Sequence, residues 1–181
     1  MNGESHTLDE AAAWKPVSAA ALAGVAVFAA LLLMLYWRSA DGWVPILDGA
    51  NLLIHEAGHP IVGACSNRLM VYGGTIFQLL FPLLTAFHFV RDRDAPGAAI
   101  GASWLGESLL NVARYMADAR AQVLPLVGGG EHDWTEIFSR WGVLHLDGRI
   151  AGFTRFVALA LIAGAVVWLF RRWQENKEET S

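Results

Sequence analysis

The chain has 181 residues, of which 55% are hydrophobic and 17% charged, and its mean hydropathy is +0.38. This composition excludes an ordinary soluble domain and is typical of a small integral membrane protein. A formal net charge of −4 gives no indication of a nucleic-acid partner, and the single cysteine, Cys65, excludes an intrachain disulfide.

Five segments predict membrane-spanning helices, because a spanning helix needs about 20 mostly apolar residues. In chain order they are 17–37, 43–65, 69–90, 96–117 and 150–170. The second and fourth segments carry polar residues in mid-span. Residues 118–149 are predicted to form a loop with an irregular glycine-rich stretch, and 1–16 and 171–181 to be polar, solvated tails. The sequence therefore predicts an all-α, polytopic membrane helical bundle in a single domain, 1–181.

Two of the predicted helices carry narrow polar stripes. The second span places four polar side chains at i, i+3, i+7 and i+11, within an arc of about 80°: Asp48, Asn51, His55 and His59. The fourth span has a similar stripe at i, i+4, i+7 and i+11: Glu107, Asn111, Arg114 and Asp118. Charges facing lipid cost several kcal/mol each, so we expect the stripes to face each other or a water-filled cavity. For Arg114 an ion pair with Glu107 or Asp118 is the favoured role.

The first of these stripes, on the second span, contains the motif HEAGH, residues 55–59. Histidines four residues apart on a helix present two imidazole nitrogens to one metal, and Glu56 between them is suited to act as general base on the attacking water. The competing interpretation is that the histidines are ordinary helix residues satisfied by neighbours. Burial in a membrane span favours zinc, because the desolvation cost has to be offset.

A catalytic zinc needs a third protein ligand, and several residues qualify. Spans two and four run in the same direction, so His55, His59 and Asp118 approach one membrane face. The loop carrying His132 and Asp133 and the pair Gly73–Gly74 open on that face too. The order of candidates is Asp118, then His132, then Glu107. Alternatively, His132 is oriented by Asp133 as an acid residue, or Asp133 caps a helix at 134–141.

These residues resemble the site-2 protease family of intramembrane zinc metalloproteases. The resemblance rests on HEAGH, on Gly73–Gly74 at the start of the next span, and on Asn111 and Asp118 in a later helix, and it covers roughly residues 45–120. It implies a site-2-protease-like core with zinc ligands His55, His59 and Asp118, Glu56 as general base, and Asn111 holding the substrate backbone or the oxyanion. The chain departs from the family pattern in "NVARYMADAR", which lacks the proline and the glycine, and in having no insertion long enough for a PDZ domain.

The leading hypothesis is a zinc metallopeptidase that hydrolyses peptide bonds of membrane-embedded protein or peptide substrates, with Gly73–Gly74 admitting an extended segment. The alternatives are a non-catalytic zinc-binding membrane protein, a pseudoprotease that binds partner helices, and, less favoured, an ion transporter. The compact chain suggests a prokaryotic cytoplasmic membrane. The sequence predicts neither the substrate nor the oligomeric state.

Overall fold

The computed structural model describes residues 13–127 and 130–179, and its regular secondary structure within these ranges is entirely helical, which confirms the all-α prediction. The α-helices in chain order are α1 (Ala19–Arg38), α2 (Leu47–Cys65), α3 (Met70–Arg91), α4 (Ala95–Ala117), α5 (Asp133–Arg140) and α6 (Asp147–Glu179). A 3-10 turn, Leu144–Leu146, leads into α6. Each of the five predicted spans thus coincides with a helix, and α5 is an additional helix inside the predicted loop.

Local capping explains several of the boundaries. The Ser18 hydroxyl accepts a hydrogen bond from the Ala21 amide at 3.1 Å and begins α1. The Asp94 carboxylate does the same for the Gly97 amide at 3.1 Å, with a proline in the first turn of α4. Side-chain oxygens at these positions satisfy backbone N–H groups that have no partner within the helix.

Both predicted tails differ from the structure. Residues 1–12 lie outside the described part, but Trp14 packs edge-on against Trp168, with ring centroids 5.1 Å apart, and the Lys15 amide donates to the Arg93 carbonyl at 2.9 Å. The C-terminal segment continues α6 as far as Glu179 instead of leaving the bundle. Its Gln, Lys and Glu residues are good helix formers, and the Arg172–Glu175 pair at i, i+3 supports the last turns.

Helix α4 forms the centre of the bundle, where it packs between α3 and α6. Small residues permit this close packing: a Cβ on Gly101 would overlap the backbone of Ala86 in α3, and one on Gly106 would overlap Ile162 in α6. Helix α1 closes the α4–α6 face, where Leu32 and Tyr36 pack with Leu110 of α4. The most buried helix is therefore the one that carries the second polar stripe.

The two ends of the bundle have different contents. At one end, here named the far end, the Lys15–Arg93 hydrogen bond joins the start of α1 to the α3–α4 connection. There the Val17 amide also donates to Asn176 in the last turns of α6 at 2.9 Å. At the other end, the site end, α3 begins, α4 ends and α5 lies. Both described chain ends therefore lie at the far end, whereas five complete crossings would have separated them.

Helix α2 accounts for this difference, because it begins inside the bundle. Asn51, in its second turn, contacts Trp104, Glu107 and Ser108, which lie midway along α4. His59, near its other end, contacts the Met70 carbonyl at the start of α3. The chain after α1 thus returns partway along the bundle before α2 begins, and α2 then runs to the site end. The prediction of five full spans is not met at 43–65.

Within the described residues, three helical segments are long and apolar enough to cross a membrane: Ala19–Arg38, Met70–Arg91 and Leu144–Glu178. They correspond to the first, third and fifth predicted spans. The outward faces of α1, α3 and α6 expose large apolar side chains, among them Trp37, Phe87 and Phe153, each at least 60% exposed. The three helices with this apolar exterior all contact α4, whereas α2 packs mainly against α3.

Candidate metal centre

The close contact of α2 with α3 determines where the histidines lie. Gly58 and Gly73 face each other so tightly that a Cβ on either would collide with the other's carbonyl group. A Cβ on Gly74 would overlap the imidazole ring of His55. Gly73 and Gly74 were expected to admit a substrate segment. In the structure α2 fills the space beside them instead, because Gly73 and Gly74 lie where α2 and α3 cross.

Each histidine ring is held through its Nδ1 atom by α3. His59 Nδ1 lies 2.9 Å from the Met70 carbonyl oxygen, which can only accept, so this nitrogen donates. His55 Nδ1 lies 3.0 Å from Gln78 Oε1, and Gln78 Nε2 donates to Asn111 Oδ1 at 3.0 Å, which orients the amide. Hydrogen bonds of this kind fix the tautomer and orientation of metal-binding histidines and leave Nε2 as the coordinating atom.

The two Nε2 atoms converge on one carboxylate oxygen. Asp133 Oδ2 lies 2.9 Å from His55 Nε2 and 3.3 Å from His59 Nε2. With Nδ1 protonated in both neutral rings, three acceptor atoms face one another, so a positive charge is needed among them, on protonated rings or as a metal cation. These three residues form a group that could hold a metal ion, with ligand atoms all within 4.8 Å of one another.

Asp133 reaches this position as the first residue of α5. His132 is the N-cap, and its Nδ1 accepts from the Thr135 amide at 3.3 Å, while the Thr135 hydroxyl donates to the Ala119 carbonyl. The Asp133 amide donates to the hydroxyl of Tyr115 on α4 at 3.2 Å. The aromatic and aliphatic side of α5 is buried through Trp134, Ile137 and Phe138, which fixes the helix on the bundle.

The three residues considered as third ligand lie elsewhere. Asp118 accepts hydrogen bonds from the amides of Val123 and Leu124, at 2.9 and 3.0 Å, and its Oδ2 lies 3.4 Å from His132 Nε2. His132 caps α5 as described. Glu107 lies deeper in the bundle and accepts from Asn51 Nδ2 at 2.8 Å. The structure brings Asp133 to the two histidines instead, and Asp118 and His132 support the loop that carries it.

Charges around α5 follow from these contacts. Burial alone would raise the pKa of Asp133, but the hydrogen bonds with His55 and His59 outweigh burial and hold that pKa below its usual value. Burial lowers the pKa of His132, against the opposing effect of Asp118, so His132 is favoured as a neutral ring. Asp133 is thus the anionic member of the group, and His132 serves as a neutral cap.

Glu56 stands between two cavities of about 350 and 360 Å³. It is half-buried, and no residue in the described part of the chain forms a hydrogen bond or ion pair with its carboxylate. The first cavity also has His55, Asn111 and Arg114 in its wall, and the second has His59 and Asp133. The carboxylate is therefore accessible from the space beside the three converging atoms.

The donor set fits a zinc ion. Tetrahedral zinc with bonds of about 2.0–2.1 Å separates its ligand atoms by about 3.3 Å, close to the observed 2.9 and 3.3 Å. Two imidazoles and one carboxylate leave a fourth position open, as catalytic zinc requires. The same set also occurs around non-haem iron(II).

Sequence reasoning found four of the residues at this centre and missed three contributions. His55, His59, Glu56 and Asn111 line the site as expected. Asp133 was assigned only to orienting His132 or to capping, and Gln78 was not among the candidate site residues. Tyr115 carried no assigned role. The available signal for Asp133 was its position in the loop after α4, at the start of a helix and next to His132, because this loop was expected to open at the same end of the bundle as the two histidines.

No family model, curated protein or solved structure matches this chain.

Proposed function

We propose that this chain is a zinc-dependent membrane metallopeptidase that hydrolyses peptide bonds of substrates held at the bilayer. One observation carries the proposal: both HEAGH histidines have Nδ1 fixed by α3 and direct Nε2 to Asp133, while Glu56 keeps an unpaired carboxylate beside them. Zinc held by His55, His59 and Asp133 would polarise the substrate carbonyl and lower the pKa of water toward 7.

The protein's own groups would move the protons. Glu56 accepts a proton from the attacking water and delivers it to the leaving nitrogen, so that a C–O bond forms as the C–N bond breaks. Asn111 uses its Oδ1 to accept from Gln78, which leaves its amide N–H groups for the substrate carbonyl or backbone. The Tyr115 oxygen accepts from the Asp133 amide, which leaves its own proton for the carbonyl oxygen.

In the bilayer, α1, α3, α4 and α6 cross fully, and α2 enters from the site end to mid-depth. The three apolar segments and the placement of both described chain ends at the far end support this arrangement. The irregular chain before α2 lies against α1 and α4, where polar backbone at membrane depth is tolerated. A prokaryotic cytoplasmic membrane is the proposed location.

The resemblance to the site-2 protease family is part of the proposal, with Asp133 in place of Asp118 as third ligand. HEAGH on a membrane helix, Gly73–Gly74 and Asn111 support it. A metal-binding membrane protein without turnover would need the histidines and the carboxylate but not Glu56. An ion transporter would need a polar path to the far end, and both cavities lie among residues of the site end.

The test is Glu56→Gln in the detergent-purified protein. Zinc content should stay near one per chain, while hydrolysis of a labelled apolar peptide should fall by about 10²–10⁴-fold, because the general base is lost and the ligands are intact. Matched Glu131→Gln, an exposed glutamate of the second cavity, should hydrolyse normally. Equal turnover of Glu56→Gln and the parent would refute the enzyme, and zinc-free parent protein would refute the metal centre.

A further inference from the structure

We infer that the first cavity recognises the C-terminal carboxylate of an apolar peptide, with Arg114 as the binding group. This inference rests on the proposed function and names its substrate: a peptide with a free C-terminus, cut close to that end. The cavity of about 350 Å³ contains His55 and Glu56 at one part of its wall and Arg114, Trp43 and Asp41 at another.

Two contacts hold Arg114 in the wall of the cavity. Its guanidinium stacks over the ring of Trp43, with Cζ 5.2 Å from the centroid, and its Nη2 donates to Asp41 Oδ2 at 2.6 Å. Its side chain is 15% exposed, and in the described part of the chain no acceptor meets its buried Nε atom. Asp41 therefore occupies only part of the guanidinium, which also lines the cavity.

The pair with Asp41 leaves room for a second anion. Asp41 lies on the connection between α1 and α2 and is 48% exposed, so solvent screens its attraction for Arg114. Neither Glu107 nor Asp118, the expected partners, forms an ion pair with Arg114. A guanidinium presents two edges suited to carboxylates, and a second carboxylate on the free edge would gain a charge-assisted, bidentate geometry.

Much of the remaining wall of the cavity is apolar. Besides the polar residues Gln78, Asn111 and Tyr115, it is formed by Leu52 of α2 and by residues 124–127 (Leu-Pro-Leu-Val) of the loop after α4. An apolar surface around a single cationic group fits a terminal residue that has an apolar side chain and a free carboxylate. A phosphate, with twice the charge, would meet the Glu56 carboxylate in the same small space, so a monoanionic carboxylate is favoured.

The cavity, of about 350 Å³, suits a short segment of extended chain. An extended peptide advances about 3.3 Å per residue, so a few residues ending at Arg114 would pass along the wall that also contains Glu56. Arg114 lies one helical turn from Asn111, the residue assigned to the substrate carbonyl. Binding of the terminal carboxylate therefore positions a peptide bond near the C-terminus at Glu56.

The experiment uses one probe in two forms: a six-residue apolar peptide that ends in a free carboxylate or in a carboxamide. Binding is measured first, by calorimetry on zinc-loaded Glu56→Gln, so that the result does not depend on turnover. The free acid should bind about 10–100-fold more tightly than the amide, because a hydrogen bond to a charged group is gained. Arg114→Gln in the same background should reduce this ratio to about one, and Arg114→Lys should retain part of it.

Asp41→Asn is the matched variant with an opposite expected effect. It removes the anion that competes for the guanidinium, so the preference for the free acid should increase. A purely structural Arg114–Asp41 pair predicts that both variants lose stability together and that neither changes the acid-to-amide ratio. Equal binding of the two peptides, or a preference that survives in Arg114→Gln, would overturn the inference.

Turnover separates this inference from the proposed function. Hydrolysis of both peptides at equal rates, with dependence on Glu56, would leave the enzyme intact and refute carboxylate recognition. Selective binding of the free acid without hydrolysis by the parent would support the recognition site and refute the peptidase. Near-terminal cleavage of the free acid alone, detected by mass spectrometry of the products, is the expected result.

Discussion

Two polar clusters share helix α2 but differ in how their donors and acceptors are matched. The candidate metal centre combines His55 and His59 of α2 with Asp133 of α5, and its converging atoms are acceptors that adjoin two cavities. The second cluster surrounds Asn51, one turn before His55. There Asn51 donates to Glu107 and accepts from Trp104 Nε1 at 3.0 Å and from Ser108 at 3.3 Å.

One face of α2 therefore has two roles, one in metal binding and one in joining helices. Around Asn51 donors meet acceptors, and Asn51, Glu107 and Ser108 are almost completely buried, as expected for a polar network that joins helices. Around His55 the Nδ1 atoms are satisfied but the Nε2 atoms are directed at another acceptor, which requires a cation. Substitutions around His55 should therefore lower metal affinity, whereas substitutions around Asn51 should lower stability.

The largest effect is expected from Asp133→Ala. Loss of one of three ligands should weaken zinc binding by more than the roughly 10–100-fold that supporting residues contribute, so that purified protein contains almost no zinc. Metal analysis of the purified variant measures this directly. Asp118→Ala is the matched control: it should retain zinc with lower thermal stability, because Asp118 accepts from two loop amides. Zinc lost with Asp118 and kept without Asp133 would contradict the assignment.

Asn51→Ala should break the second cluster without affecting the first. Glu107 and Trp104 would each lose a buried partner, at about 1–3 kcal/mol per group, for a total of about 3 kcal/mol. In a chain of this size that lowers the Tm by roughly 6–12 °C, measurable by thermal unfolding in detergent. Zinc content should stay unchanged. Ser108→Ala, which removes only the longest contact, should have a smaller effect. Loss of zinc in well-folded Asn51→Ala would show that the clusters are not separate.

Gln78→Leu tests how the candidate metal centre is connected to α3. The substitution removes the acceptor that holds His55 Nδ1 and the donor to Asn111. Removing a group that orients a metal ligand typically costs 10–100-fold in metal affinity, so competition with a chelator should show zinc binding weakened by that factor. Gln78→Glu keeps an acceptor at His55 and should restore most of the affinity. Unchanged affinity in Gln78→Leu would mean that the ring is fixed by packing alone.

For clear physical reasons, the sequence predicted helices at five of the six α-helices in the described part of the chain and two of the three residues that could hold a metal ion there. Hydrophobic length fixed the positions of α1, α3 and α6, and the four-residue spacing of His55 and His59 fixed their common helix face. The depth of α2 could not be read in this way, because the turn at 39–46 that lets it begin inside the bundle depends on contacts with α1 and α4. Asp133 was assigned to other roles because spacing along one helix says nothing about a ligand supplied by a later loop.

The smallest expected effect concerns the hydrogen bond that joins α4 to this ligand. Tyr115 accepts from the Asp133 amide, and its ring lies tilted on His132 with centroids 4.1 Å apart. Tyr115→Phe keeps the ring contact and removes one neutral hydrogen bond, worth about 1 kcal/mol, so zinc affinity should fall only about fivefold. If the Tyr115 hydroxyl donates to the substrate carbonyl, kcat should fall further than zinc affinity, with KM nearly constant. If zinc affinity and kcat at limiting zinc fall by the same factor, the role of Tyr115 is limited to positioning Asp133. A drop in kcat at saturating zinc therefore separates a group that contacts the substrate from one that only supports the metal ligand.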